Sequence, residues 1–89
     1  MSHEHLEAAS EAITSASESA DGETADRLAD HADQLARLAD GTSDPDHGRL
    51  ARHEHALRSI VEDADEETTA EVNRGLAEIR SFRETLEGV

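Results

Sequence analysis

Apolar residues recur along this chain at steps of three and four. They run through Leu6, Ala9, Ile13, Ala16 and Ala20, through Ala25, Leu28, Ala32, Leu35 and Ala39, and through Val72, Leu76, Ile79, Phe82 and Leu86. With 3.6 residues per turn such spacing gathers side chains on one side of a helix, whereas a half-buried strand requires alternation. No stretch alternates, so the chain is expected to be all-α.

Four segments follow from the stop and start signals. Ser2 is a suitable N-cap for a first helix over about 3–20, and Gly22 after Asp21 is placed to end it as a left-handed C-cap. Thr24 can cap a second helix over 24–39, whose stripe is broadened by Ala29, Ala36 and Leu38 until it could touch two neighbours. Glu23/Arg27 and Asp33/Arg37 stand four apart with the acid first, the favourable order for a helical ion pair. The stretch GTSDPDHG is the one clear loop, and Asp44 before Pro45 reads as N-cap and first helical residue of a third helix over 45–62. That helix carries Leu50, Leu57, Ile60, Val61 and Ala64. A fourth, over 66–87, begins near Asp63 or Asp65, has Glu66 and Glu67 in its first turn, and meets Gly88 at its end. Gly75 lies on the seam of that helix, where a glycine costs about 1 kcal/mol and permits close approach of a neighbour. Short connections favour antiparallel neighbours. Residues 1–89 are therefore expected to form a single helical domain, either a four-helix antiparallel up-and-down bundle or two helical hairpins completed by dimerisation.

The second alternative arises because the core is small. Eight Leu, three Ile, three Val, one Met and one Phe are the only large apolar residues among 89, with no Trp, Tyr or Cys. A single chain of this size buries a limited fraction of its surface, and a homodimer is the expected remedy. Zero cysteines also exclude disulfides and thiolate metal ligands.

Charge narrows the setting. The net charge is −14, from nine Asp and thirteen Glu against eight Arg, and no basic residue is lysine. Such self-repulsion is severe in dilute buffer but is screened in molar salt, where the Debye length is about 3 Å. The pattern suits a halophile's cytoplasmic protein. Phosphate backbones require a basic footprint, so nucleic acid is not an expected partner. No apolar run is long enough for a signal peptide or a membrane span, so no membrane association is expected either.

Six histidines are the residues best able to carry chemistry. HEH occurs twice, as His3-Glu4-His5 and His53-Glu54-His55, but residues two apart on a helix point about 200° away from each other. Neither copy can chelate an ion from a continuous helix, and the HExxH spacing of metalloproteases is absent. On the third helix His53 falls inside the apolar arc and His55 points away. A buried His53 needs a partner for its ring nitrogens, and Asp46 is a candidate. His47 is placed to join the cap at Asp44 and shares a face with Glu54. A metal site from Asp44, Asp46, His47 and Glu54, or from Asp46, His47 and His53, is the corresponding ligand alternative. His3, His5, His31 and His55 are expected in solvent, with the N-terminal pair frayed.

Between Gly48 and Ile60 the sequence holds Arg49, Arg52 and Arg58 but one acid, Glu54. This basic island either pairs with acidic helices or contacts an anion or a partner's carboxylates through its guanidiniums. No phosphate loop, nucleophile elbow or base-paired serine is present, so no enzymatic activity and no cofactor are expected. The leading expectation is a non-enzymatic helical interaction or structural protein acting as a homodimer. The alternative is a small metal- or anion-binding protein centred on Asp44–His55.

Two acidic, alanine-rich helices, the DPDHGRLARH turn and helix of Asp44–His53, and a last helix ending RETLEGV form a layout that spans nearly the whole chain. It resembles a family of short, acidic, uncharacterised haloarchaeal all-α proteins of unknown function. The resemblance implies an all-α fold and a saline habitat, and it brings no site residue with it.

Overall fold

The computed structural model describes residues 3–86. It contains four helices, α1 (Glu4–Ser19), α2 (Gly22–Ala39), α3 (His47–Val61) and α4 (Glu66–Thr85), and no strand among the described residues. The expected cap at Ser2 and stop at Gly88 lie outside them.

The helix starts shift in instructive ways. α1 closes at Ala20, in extended conformation, and Gly22 takes the left-handed backbone (φ +62°) expected of it. That conformation opens α2, however, instead of closing α1. Asp21 stands at the N-cap without a side-chain bond, so α2 begins two residues before the expected cap Thr24. At α3 the cap is Asp46, whose Oδ1 accepts the Arg49 N–H at 2.8 Å, so Asp44 and Pro45 precede the helix. Of the two acids expected near the start of α4, Asp65 rather than Asp63 is its cap, accepting the Thr68 N–H at 2.8 Å.

Small residues decide which helices approach closely. α1 buries Leu6, Ala9, Ala12, Ile13 and Ala16, and it packs along both α2 and α4. Ser10 Oγ donates to the Ala32 carbonyl at 3.0 Å, while Ser19 Oγ donates to Glu71 at 2.8 Å. Against α4 the contact is tightest at Gly75, where an added Cβ would lie 2.6 Å from Ile13 Cδ1 and 3.0 Å from Ile13 Cγ1. The glycine expected to permit close helix approach does so.

α3 presents larger side chains inward, Leu50, His53, Leu57 and Ile60, and these hold its backbone away from its neighbours. It packs on α4 and touches α2 only lightly. α2 does touch two neighbours, α1 closely and α3 lightly, but Ala29 and Ala36, expected to broaden its stripe, are exposed.

The contacts run in opposite senses along each pair, with His3 on Leu38 and Ser10 on Ala32 for α1/α2, and His5 on Glu78 and Ser19 on Glu71 for α1/α4. This packing is compatible with an antiparallel up-and-down bundle closed within one chain. The radius of gyration, 12.1 Å, is that of a compact chain of this length, for which about 12 Å is usual. One core joins Leu6, Ile13, Leu28, Leu35, Leu38, Leu50, Leu57, Ile60, Val72, Ile79 and Phe82, with Leu76, Val61 and Leu86 half-covered at its margin. Among the described residues no helix is long and apolar enough to cross a membrane.

Candidate functional site

The seam between α2 and α3, the loosest in the bundle, is where polar side chains reach inward. His53 is 6% exposed, as its place in the apolar arc requires. Its partner is not Asp46, which is committed to the helix cap, but His31 on α2, with the two Nδ1 atoms 2.8 Å apart and the rings edge to face. One ring must donate and the other accept, so at most one of the facing nitrogens carries a proton. His31, expected in solvent, is thus half-buried.

Burial chiefly, then the charges of His31, Arg49 and Arg52, push the His53 pKa down to about 4. Burial and Arg27 lower that of His31, against the opposing pull of Asp30. Both rings are therefore neutral in the folded protein at pH 7. Because the unfolded chain binds these protons near the ordinary imidazole pKa of about 6.5, it holds more protons than the folded one below that value. Stability is full above pH 6.5 and falls as pH drops toward about 4, by about 1.4 kcal/mol per pH unit for each ring that stays neutral. Urea titrations between these limits should record that slope, and His53→Gln should flatten it. An unchanged slope in the variant would remove the histidine pair as its cause.

Beside the pair lies a cavity of about 200 Å³ lined by Gln34, Arg37, Leu38, Ser43, Arg49 and His53. The α2–α3 loop is folded against it. Asp40 Oδ1 accepts the Thr42 N–H at 2.9 Å and its hydroxyl at 2.6 Å, which holds the Asp40 carboxyl below its usual pKa. The Thr42 and Ser43 N–H groups donate to the Arg37 carbonyl at 3.0 and 3.3 Å, fixing Ser43 at the cavity wall.

A second polar cluster joins α3 to α4. Arg83 donates from Nε to His47 Nδ1 at 3.2 Å and from Nη1 to Glu54 Oε1 at 3.1 Å. Glu54 is 7% exposed and also meets Arg58 at 3.5 Å. His47 and Glu54 do share a face, as anticipated, and Arg83 bonds to both. His47 Nε2 is buried and has no partner among the described residues.

The ligand sets drawn from sequence are not assembled. Asp46 caps α3, His47 and Glu54 face Arg83, His53 faces His31, and Asp44 is exposed. No group of three or more metal-capable side chains converges among the described residues. The basic island is likewise divided: Arg49 lines the α2/α3 cavity, Arg58 turns toward α4, and Arg52 is exposed, though near enough to lower the His53 pKa.

Partners from distant sequence were missed. His3, expected to fray, bonds through Nδ1 with the Leu38 carbonyl (3.2 Å) and packs edge-on against Phe82, while His5 pairs with Glu78 at 2.8 Å. Gln34, Ser43 and Arg83 carried no local signal, and Arg37 carried only that of a helical pair with Asp33. His31 did carry one, lying three residues after Leu28 and four before Leu35, at the edge of the α2 stripe. The helical pairs Glu23/Arg27 and Asp33/Arg37 are not among the ion pairs of the described residues, which involve His5, Glu54, Arg58, Glu78 and Arg83.

No curated protein and no solved structure matches the chain. Residues 1–85 match a family of unknown function (DUF7553), and by that match over nearly its whole length the chain belongs to this family.

Proposed function

We propose that this is a non-enzymatic helical protein of a high-salt cytoplasm that acts by association, and that its first partner is a second copy of itself. The observation that carries the reading is the outer groove between α3 and α4. It encloses about 370 Å³ between Arg58, Asn73, Leu76, Ala77 and Arg80, so an apolar floor lies between two arginines. Leu76 is a half-covered member of the core margin. On a molecule with 22 acidic residues, an arginine-flanked apolar groove is complementary to the acidic helices of another copy. The acidic, lysine-free composition supports the saline setting, where screening lets like-charged copies approach.

Light scattering at micromolar concentration tests this. The wild type should be dimeric in molar KCl and dissociate as salt is withdrawn, and Ala77→Glu, which places a charge on the exposed apolar floor, should stay monomeric with unchanged helix content. A monomeric wild type throughout the salt series would overturn the association.

A further inference from the structure

We propose that the α2/α3 cavity binds the phosphate group of a small soluble molecule, with Arg37 and Arg49 as its principal ligands and Gln34, Ser43 and His53 completing the donor set. The proposal rests on what converges there and on what is kept away. Arg37, Arg49, Gln34, Ser43 and His53 line a single cavity of about 200 Å³ together with Leu38, and the two arginines and Gln34 are also exposed to solvent. In a chain with 22 acidic residues and eight arginines, the ion pairs of the described residues engage Arg58 and Arg83 but neither Arg37 nor Arg49. Asp40 bonds Thr42 and also feels the charge of Arg37, and Asp46 accepts the Arg49 N–H, but neither carboxylate lines the cavity or forms an ion pair with these guanidiniums. The cavity thus carries two arginines that no carboxylate pairs within ion-pair distance among the described residues, on a negative protein.

Geometry selects the class of anion. Arg37 comes from the last turn of α2, Ser43 from the loop and Arg49 from the first turn of α3, so the donors approach from different directions. A planar carboxylate offers two oxygens in one plane and would leave part of this set unused. A tetrahedral phosphate offers oxygens in several directions, and a guanidinium fork matches a pair of them. The loop that carries Ser43 is already fixed on the Arg37 carbonyl, so little ordering is needed on binding. With the His53 Nδ1 accepting from His31, its single proton sits on Nε2 and is free to donate to an anion in the cavity that His53 lines.

The test is calorimetric titration of the full chain with inorganic phosphate, glycerol phosphate and glutamate, at low and molar KCl, with the imidazole resonances followed in parallel. Saturable one-to-one binding of inorganic phosphate or glycerol phosphate should appear, shifting the His53 resonances and leaving those of exposed His55 in place. Binding of both marks a phosphate monoester site, and binding of inorganic phosphate alone marks a site for the free ion. Arg37→Gln and Arg49→Gln should each weaken binding about tenfold or more, as expected for loss of a charge-assisted bond. Neither guanidinium has an ion-pair partner among the described residues, so helix content should be unchanged in both variants. Arg74→Gln, at an exposed position on α4, should bind as the wild type does. Absence of saturable phosphate binding at millimolar concentration, glutamate binding as tightly as phosphate, or equal loss in Arg74→Gln would each overturn the proposal.

Discussion

Ile13→Ala should lower the free energy of unfolding by about 3 to 4 kcal/mol, and adding Gly75→Ala to that variant should restore part of the loss. The first effect is the usual consequence of removing a fully buried branched side chain and leaving a cavity. It is large for this chain, since domains are stable by only about 0.05 to 0.15 kcal/mol per residue. The second effect is specific to the α1/α4 contact. In the wild type a methyl group at position 75 would press on Ile13 Cδ1 at 2.6 Å, and the resulting strain outweighs the gain of about 1 kcal/mol from replacing a helical glycine. With Ile13 cut back to alanine, the same methyl enters the vacated space and the helix-propensity gain remains. Gly75→Ala should therefore destabilise the wild type and stabilise Ile13→Ala. Urea unfolding at fixed KCl measures all four corners of this cycle, and additivity within about 0.5 kcal/mol would show that the two positions do not meet as described.

Arg83→Met should cost about 2 kcal/mol, most of it recovered when Glu54→Gln is introduced alongside. The Glu54 side chain is 9% exposed, and Arg83 is its nearer partner at 3.1 Å. Methionine keeps much of the arginine stem but leaves a carboxylate in the α3/α4 contact with only Arg58, 3.5 Å away and 55% exposed. Arg83 is itself 30% exposed, so the cost falls below that of a fully desolvated pair. Neutralising Glu54 removes the stranded charge. A surface ion pair would lose its value in molar salt, whereas this cost should persist there because solvent ions reach the buried carboxylate poorly. If the loss vanishes between low and molar KCl, the interaction is a surface one.

The helical elements were legible because their signals are local. Steps of three and four placed α1 to α4, Asp65 with Glu66 and Glu67 marked the start of α4, and Gly75 announced a close approach. The α3 cap was legible only to within two residues. Asp44 and Asp46 flank Pro45 and each can accept the first backbone N–H groups. Which one does so is settled by the chain that must cross from α2 to a helix standing off from it, and residues 40–46 are all spent on that crossing. The histidines were the least legible. His53 was placed in the apolar arc by its own helix, but its partner lies 22 residues earlier, and the partners of His3 and His5 lie 35 and 73 residues later. Nothing local to a histidine reports which distant group will face it. The same reason hid Arg37 from the basic island, because that grouping followed the order of the sequence and the cavity gathers residues from two helices and a loop.

α1 bears on α2 with one side and on α4 with the other, and this orders events during synthesis. The α1/α2 hairpin is contiguous and can form as soon as both helices have left the ribosome. The side of α1 that bears Ile13 against Gly75 has no cover until the last helix emerges. A nascent chain stopped after α3 would hold that apolar strip open to water or to a neighbouring chain, and it is the middle of α4, at Gly75, that covers it from within the same chain.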